Sequence, residues 1–201
     1  EGLGAPSEQE RLEVLGPETV TWKYAGDNLG FLLAGQALIL QVAHPVVGAG
    51  VAEHSTYKTD PWGRLERTTK HVSNFIYGGP EVARRTAQHL REMHRPIKGT
   101  DVQGRRYTAL DPEAYAWVHL TLFYAIRSAR TLYADPLDAD EEARFYAEWR
   151  TLGRLLGVRE AQMPSDVRAF DAYIETMIAS RLEDNEVCLL YTSDAADERS
   201  S

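Results

Sequence analysis

The sequence has little cysteine, no excess of basic residues and no long apolar run. Its 201 residues include one cysteine, Cys188, so neither an internal disulfide nor a cluster of thiolate ligands is expected. The net charge is −8, and without a basic stripe to neutralise phosphates no nucleic-acid partner is expected. The longest apolar stretch, residues 29–43, is shorter than the roughly 20 residues of a membrane span. We therefore expect no integral membrane segment.

The sequence also lacks the motifs of several enzyme classes. HExxH is absent, which excludes a zincin site, and no Glu is followed three residues later by His, as di-iron carboxylate bundles require. His-x-Asp and His-x-Glu, the common pattern of a two-His-one-carboxylate iron site, are missing as well. What remains is histidine on apolar segments with helical spacing, which is how an all-α fold usually holds haem.

Apolar residues recur with helical spacing along nearly the whole chain. The length suits one domain, so we predict an all-α, single-domain helical bundle. Several positions predict helix boundaries: Asp27 or Asn28, Asp60-Pro61 and Asp111-Pro112 as starts, and Gly78-Gly79 and Gly157 as ends. Residues 97–111 carry the strongest non-helical signal and predict a small hairpin.

The end of the sequence differs in character from the rest. Residues 188–198, "CLLYTSDAADE", resemble the translation of a transposase sequencing adapter, so we expect residues 188–201 to be a non-native tail on a metagenomic fragment. Residues 1–187 would then be an incomplete helical domain, truncated at its C-terminus. The chain does not begin with Met, and we expect its N-terminus to be cut too. No signal peptide is visible, which makes a cytoplasmic location the expectation and leaves secretion open.

Histidines and one charged helix face are the candidates for chemistry. His94 and His119 lie among apolar residues and could hold a cofactor, although for any single histidine of this kind a buried imidazole bonded to the backbone is the more common role. Surface positions are expected for His71 and His89. Arg64, Arg67 and Thr68 can share one helix face. That face is either a solvated charged surface or part of a cofactor pocket, where an arginine would pair with a propionate.

Four segments together resemble the family of latex-clearing rubber oxygenases and MpaB, the fungal oxygenase of mycophenolic acid biosynthesis. The segments are "LILQVAHPVVGAGVAEHSTYKTDPWGRLERTTKHV", "MHRPIKG", "YTALDPEAYAWVHLTL" and "FYAEWRTLGRLLGV", and the similarity runs in order over about residues 20–180. It implies a globin-like helical core that binds haem b. It also implies O₂-dependent cleavage of a carbon–carbon double bond in an isoprenoid chain.

The resemblance also implies roles for particular residues. The family's distal Arg-x-x-Lys-Thr motif falls on Arg64, Arg67 and Thr68, and its axial histidine falls on His94, which would be the metal ligand. Glu53 is the candidate for the family's catalytic glutamate. Matches to frequent family positions add candidates near the cofactor: His44, His54 and His119. Arg67 replaces a lysine that can ligate iron, and a guanidinium offers no lone pair for that.

The function predicted from the sequence is therefore a haem b-dependent oxygenase that acts with O₂ on a small hydrophobic, isoprenoid-like alkene. Two alternatives stay open. A non-haem metal oxygenase could gather His44, His54, His94 and His119 in three dimensions, and a helical lipid- or isoprenoid-binding module could use the same histidines structurally. The sequence leaves the substrate, the product type and the oligomeric state undetermined.

Overall fold

The fold is described from a computed structural model, which describes residues 16–26, 29, 33–56 and 58–189. These residues form an all-α domain with one small hairpin, as predicted. The elements in chain order are α1 (Val20–Ala25), α2 (Ala34–Ala43), α3 (Pro45–His54), α4 (Pro61–Tyr77), α5 (Gly79–His94), β1 (Lys98–Thr100), β2 (Arg106–Thr108), α6 (Pro112–Tyr133), α7 (Ala139–Leu156), a 3₁₀ turn (Glu160–Gln162) and α8 (Val167–Ser180).

Helix termini are fixed by the residues that the sequence indicated. The Asp60 carboxylate accepts a hydrogen bond from the Gly63 amide, and Asp111 accepts from the amides of Glu113 and Ala114, so each satisfies donors of a first helical turn. Gly157 ends α7 at φ +91, a left-handed conformation that favours glycine. The proposed cap at Asp27 or Asn28 lies outside the described residues.

The core is built around α6, whose apolar face meets α7 and α8. Phe123 is fully buried, with its ring centroid 4.9 Å from that of Phe145 and 5.0 Å from those of Tyr146 and Phe170. α2 is fastened to the same helix because the Trp117 indole donates to the Leu40 carbonyl at 2.8 Å. Such closely spaced aromatic rings contribute both buried area and edge-to-face attraction.

α2 and α3 meet at a sharp corner at His44, because Pro45 starts a new helix there. The two helices are bent by 100°. Among the described residues no single helix is long and apolar enough to span a membrane. Taken together, α2 and α3 reach the required length and composition, and they are the one bent pair of described helices that does. The carbonyls that the corner leaves open are used by the segment after α8: the Glu183 amide donates to Ala43 and the Asn185 side chain to Val42.

The predicted hairpin is present between α5 and α6. β1 and β2 are antiparallel, and Gly99 lies opposite Tyr107. The hairpin packs on α3, which places the Tyr107 side chain against the end of that helix. The hairpin therefore brings residues 98–108 next to residues about fifty positions earlier in the chain.

Candidate functional site

His94 is the last residue of α5, and its ring orientation is set by its own helix. The Nδ1 atom lies 2.7 Å from the Leu90 carbonyl oxygen. Because a carbonyl only accepts, Nδ1 carries the hydrogen, and the neutral ring keeps its lone pair on Nε2. The half-buried ring stands edge-on to Tyr115, with centroids 6.2 Å apart. A histidine fixed in this tautomer is prepared to donate Nε2 to a metal.

The end of α5 that carries His94 is tied to the end of α7. The Arg91 guanidinium donates to the carbonyls of Leu155 and Leu156, at 3.1 and 3.2 Å. These carbonyls lie in the last turn of α7, where no helical donor is available for them. Arg91 thus caps the C-terminus of α7. The same contacts hold the last turn of α5, which carries Arg91 and, three residues later, His94.

The predicted distal residues share the first half of α4. Arg64 is half-buried, while Arg67 and Thr68 are exposed. The Thr68 hydroxyl donates to the Arg64 carbonyl at 2.9 Å. Arg67 donates to the Asp60 carboxylate and to the Thr56 hydroxyl, each at 3.1 Å. These contacts tie the start of α4 to the preceding loop, a function that requires no cofactor.

Arg64, Thr68 and His71 follow the spacing i, i+4, i+7, so His71 lies on the same face of α4, one turn further along. Its side chain contacts α5. Its ring centroid lies 5.6 Å from that of His89. Burial, then the charges of His89 and His94, lower the pKa of His71. The sequence predicts a surface position for His71, whereas the ring is half-buried. The i+7 spacing from Arg64 is the signal that links His71 to the candidate face.

Glu53, the candidate catalytic glutamate, is held by the hairpin. The Tyr107 hydroxyl donates to its carboxylate. Burial, together with this hydrogen bond, raises the pKa of Tyr107 to about 12. A Cβ at Gly99 would lie 2.7 Å from Glu53 Oε2 and 2.8 Å from the Tyr107 oxygen, so the pair requires glycine on the opposite strand. His54 stands edge-on to the Tyr107 ring, with centroids 6.3 Å apart.

His44 is buried at the corner between α2 and α3. Its side chain is 4% exposed, and Nε2 lies 3.5 Å from Glu113 Oε1. Glu113 is also paired with Arg181 at 2.8 Å. Burial lowers the pKa of His44, although the nearby Glu113 acts in the opposite direction. The corner therefore holds a neutral imidazole beside an ion pair.

His119 lies in the aromatic core between α6 and α7. Its Nε2 donates to the Trp149 carbonyl at 2.8 Å, and the Trp149 indole donates back to the His119 carbonyl at 3.0 Å. The two rings are stacked, with centroids 5.2 Å apart. Burial lowers the pKa of His119 to about 4. These contacts match the structural alternative stated for this residue, a buried histidine bonded to the backbone.

The four histidines of the non-haem alternative each have a different neighbour. The pairs are His44 with Glu113, His54 with Tyr107, His94 with Tyr115 and His119 with Trp149. Over residues 16–26, 29, 33–56 and 58–189, no three His, Cys, Asp or Glu side chains are arranged to hold a metal ion. A haem makes a smaller demand on the protein, since one axial histidine is sufficient to attach its iron. The donor set found here therefore fits a haem better than a protein-only metal centre.

Two grooves flank the turn that follows His94. The smaller, of about 180 Å³, is lined by Tyr115 together with Arg91, Leu110, Pro112 and residues 157–159. The larger, of about 450 Å³, runs along the hairpin, and its lining includes Lys98, Arg106 and Asp111. Since Tyr115 also contacts the His94 ring, the smaller groove borders the candidate ligand.

Comparison with known proteins identifies a family match. Residues 22–199 match the protein-family model described as "ER-bound oxygenase mpaB/B'/Rubber oxygenase, catalytic domain". No curated protein and no solved structure gave a significant match. The matched range runs through residues 188–199, and the non-native origin of residues 188–201 stays a prediction. Because the match covers most of the sequence, the chain belongs to the mpaB and rubber oxygenase catalytic-domain family.

Proposed function

We propose that this chain is a haem b-dependent oxygenase that acts with O₂ on a hydrophobic, isoprenoid-like alkene and cleaves its carbon–carbon double bond. Membership of an oxygenase family supports the reaction class. The observation that carries the haem assignment is the hydrogen bond from His94 Nδ1 to the Leu90 carbonyl at 2.7 Å. That bond leaves Nε2 as the ring's one lone-pair donor and fixes its direction.

In this proposal His94 would hold the haem iron, and Arg91 would keep the end of α5 in place. When bound, haem would supply the activation of O₂ that amino-acid side chains cannot supply. The half-buried Arg64 guanidinium would pair with a haem propionate, a carboxylate that suits its planar donors. The Thr68 hydroxyl now donates to the Arg64 carbonyl, so it could donate to a ligand only after giving up that bond.

Arg67 would act differently from the distal lysine of the rubber oxygenases that the chain resembles. A guanidinium stays protonated and has no lone pair to offer iron, and here it is engaged with Asp60 and Thr56. We therefore infer that the side chain at position 67 would not ligate the iron. Glu53, held by Tyr107, would act only if the hairpin released its carboxylate.

The experiment is to titrate haem into the purified chain, record the absorption spectrum, and then measure O₂ consumption with squalene as an isoprenoid probe. A Soret band, O₂ uptake that depends on squalene, and carbonyl products would support the proposal. Squalene binding without a Soret band or O₂ uptake would instead favour the lipid-binding alternative. Iron or zinc retained without porphyrin would favour the non-haem alternative.

A further inference from the structure

His71 on α4 and His89 on α5 form a pair. The same two helices carry Arg64 and His94 of the proposed haem site. α4 packs along α5, and the two rings face each other with centroids 5.6 Å apart and a tilt of 40°. Two imidazoles that share one tetrahedral ion, each with a nitrogen about 2.0–2.1 Å from it, have centres roughly 5–6 Å apart. The observed separation lies in that range.

Both rings are accessible and keep their nitrogens available. His71 is half-buried and His89 is exposed. Within the described part of the chain, neither ring takes part in a hydrogen bond or an ion pair with another residue. This distinguishes the pair from His44, His94 and His119, whose rings face a carboxylate or a backbone carbonyl. Burial and the neighbouring histidines disfavour the protonated form of His71, and a neutral imidazole is the form that binds metals.

We propose that His71 and His89 form a two-histidine site for a divalent transition-metal ion, with water completing the coordination. Imidazole nitrogen suits Zn²⁺, Cu²⁺ and Ni²⁺, whereas Mg²⁺ and Ca²⁺ prefer oxygen ligands. Since described residues near the pair supply no third His, Cys, Asp or Glu ligand, and Lys70 adds a positive charge nearby, the site is weaker than a structural zinc centre. A bound ion would join α4 to α5 and hold the two helices at a fixed separation.

The test uses the whole chain, free of haem and of any histidine tag, and follows thermal unfolding with and without ZnCl₂. An ion that binds only the folded protein raises the ratio of folded to unfolded molecules about 100-fold at 100 times its Kd. We expect Zn²⁺ to raise the unfolding temperature of the native sequence, and His89→Ala to abolish the increase. The same Mg²⁺ concentration should have no effect.

A matched control is His54→Ala, which removes another accessible histidine and leaves the pair intact, so it should keep the response to Zn²⁺. A second measurement is the electron paramagnetic resonance spectrum of bound Cu²⁺. It should show coupling to two imidazole nitrogens in the native sequence and to fewer in His71→Gln and His89→Ala. The proposal is overturned if Zn²⁺ has no effect on the native sequence, or if His89→Ala responds as His54→Ala does. Because haem is absent throughout, these outcomes do not depend on the proposed oxygenase function.

Discussion

Two regions of this domain each place a histidine against a backbone carbonyl, but the hydrogen bond has a different role in each region. In the core, His119 donates to the Trp149 carbonyl, stacks on the Trp149 ring and is 4% exposed. At the edge, His94 donates to Leu90 within its own helix and stays half-buried. The core histidine bonds two helices to each other. The bond of the edge histidine orients its ring within its own helix and leaves Nε2 available.

The comparison shows what distinguishes a structural histidine from a candidate ligand in an all-α chain. A bond to a carbonyl is common to both, so the bond by itself is not informative. What differs is whether the partner lies in another helix, which makes the contact tertiary, or one turn earlier in the same helix, which leaves the far side of the ring free. Substitutions in the two regions should therefore differ in their effects on stability and on cofactor binding.

The largest expected loss of stability comes from the core. Phe123→Ala should lower the free energy of unfolding by about 3–5 kcal/mol, because it leaves a cavity among fully buried aromatic rings. Trp62→Ala, on the first turn of α4, should change it by less than about 0.5 kcal/mol, since Trp62 is 79% exposed. Urea unfolding followed by circular dichroism measures both. Similar losses in the two variants would contradict the assignment of the core.

The second prediction concerns pH and His119. Burial lowers the pKa of His119 from its ordinary value of 6.5 to about 4, so the folded chain requires the neutral ring. Its contribution is fully present above about pH 6.5 and is lost as the pH falls toward about 4, with a loss on the order of 3 kcal/mol. His119→Gln, which cannot titrate, should therefore lose less stability over that range than the native sequence, as measured by urea unfolding at several pH values. Parallel pH profiles would exclude a buried neutral His119.

The sequence indicated most of the fold for local reasons. Asp60, Asp111 and Gly157 act on backbone groups within three or four residues, so their roles can be recognised in the order of the amino acids. The spacing of Arg64 and Thr68 on one helix face is also a local property. The all-α single domain was therefore predictable, and it is confirmed.

Other contacts of the candidate residues are not local. Tyr107 reaches Glu53 across 54 positions, and His119 meets a carbonyl 30 residues away. Such pairs depend on how the hairpin and the helices pack, which no periodicity in the sequence encodes. The assignment of His71 and His89 to the surface could not reveal that their rings face each other. The roles of the other predicted site residues stay predictions.

A third prediction tests how the edge region is held. Arg91→Met removes the donors to the Leu155 and Leu156 carbonyls and should cost about 1–2 kcal/mol of unfolding free energy. It should also weaken haem binding several-fold, because the end of α5 that carries His94 would be less restrained. Absorption titration with haem measures the affinity. The control is Arg85→Met on the exposed face of the same helix, which should have little effect on either quantity.

The smallest effect is expected at Arg67. Both side chains of its ion pair with Asp60 are at least half exposed, so Arg67→Ala should cost less than about 1 kcal/mol. The absorption spectrum of the haem complex should not change, because the guanidinium provides no ligand to iron. A shifted Soret band in Arg67→Ala, with haem affinity retained, would show that this side chain does reach the haem.

The most direct test of the central claim, that His94 ligates haem, is chemical rescue. His94→Gly removes the ring but leaves a space that free imidazole can enter, and its fold can be checked by circular dichroism. We predict that the variant loses the Soret band of the native complex and regains it when imidazole is added, whereas His119→Gln keeps that band without imidazole. An unchanged Soret band in His94→Gly before imidazole is added would contradict the account, since the axial ligand would then be another residue.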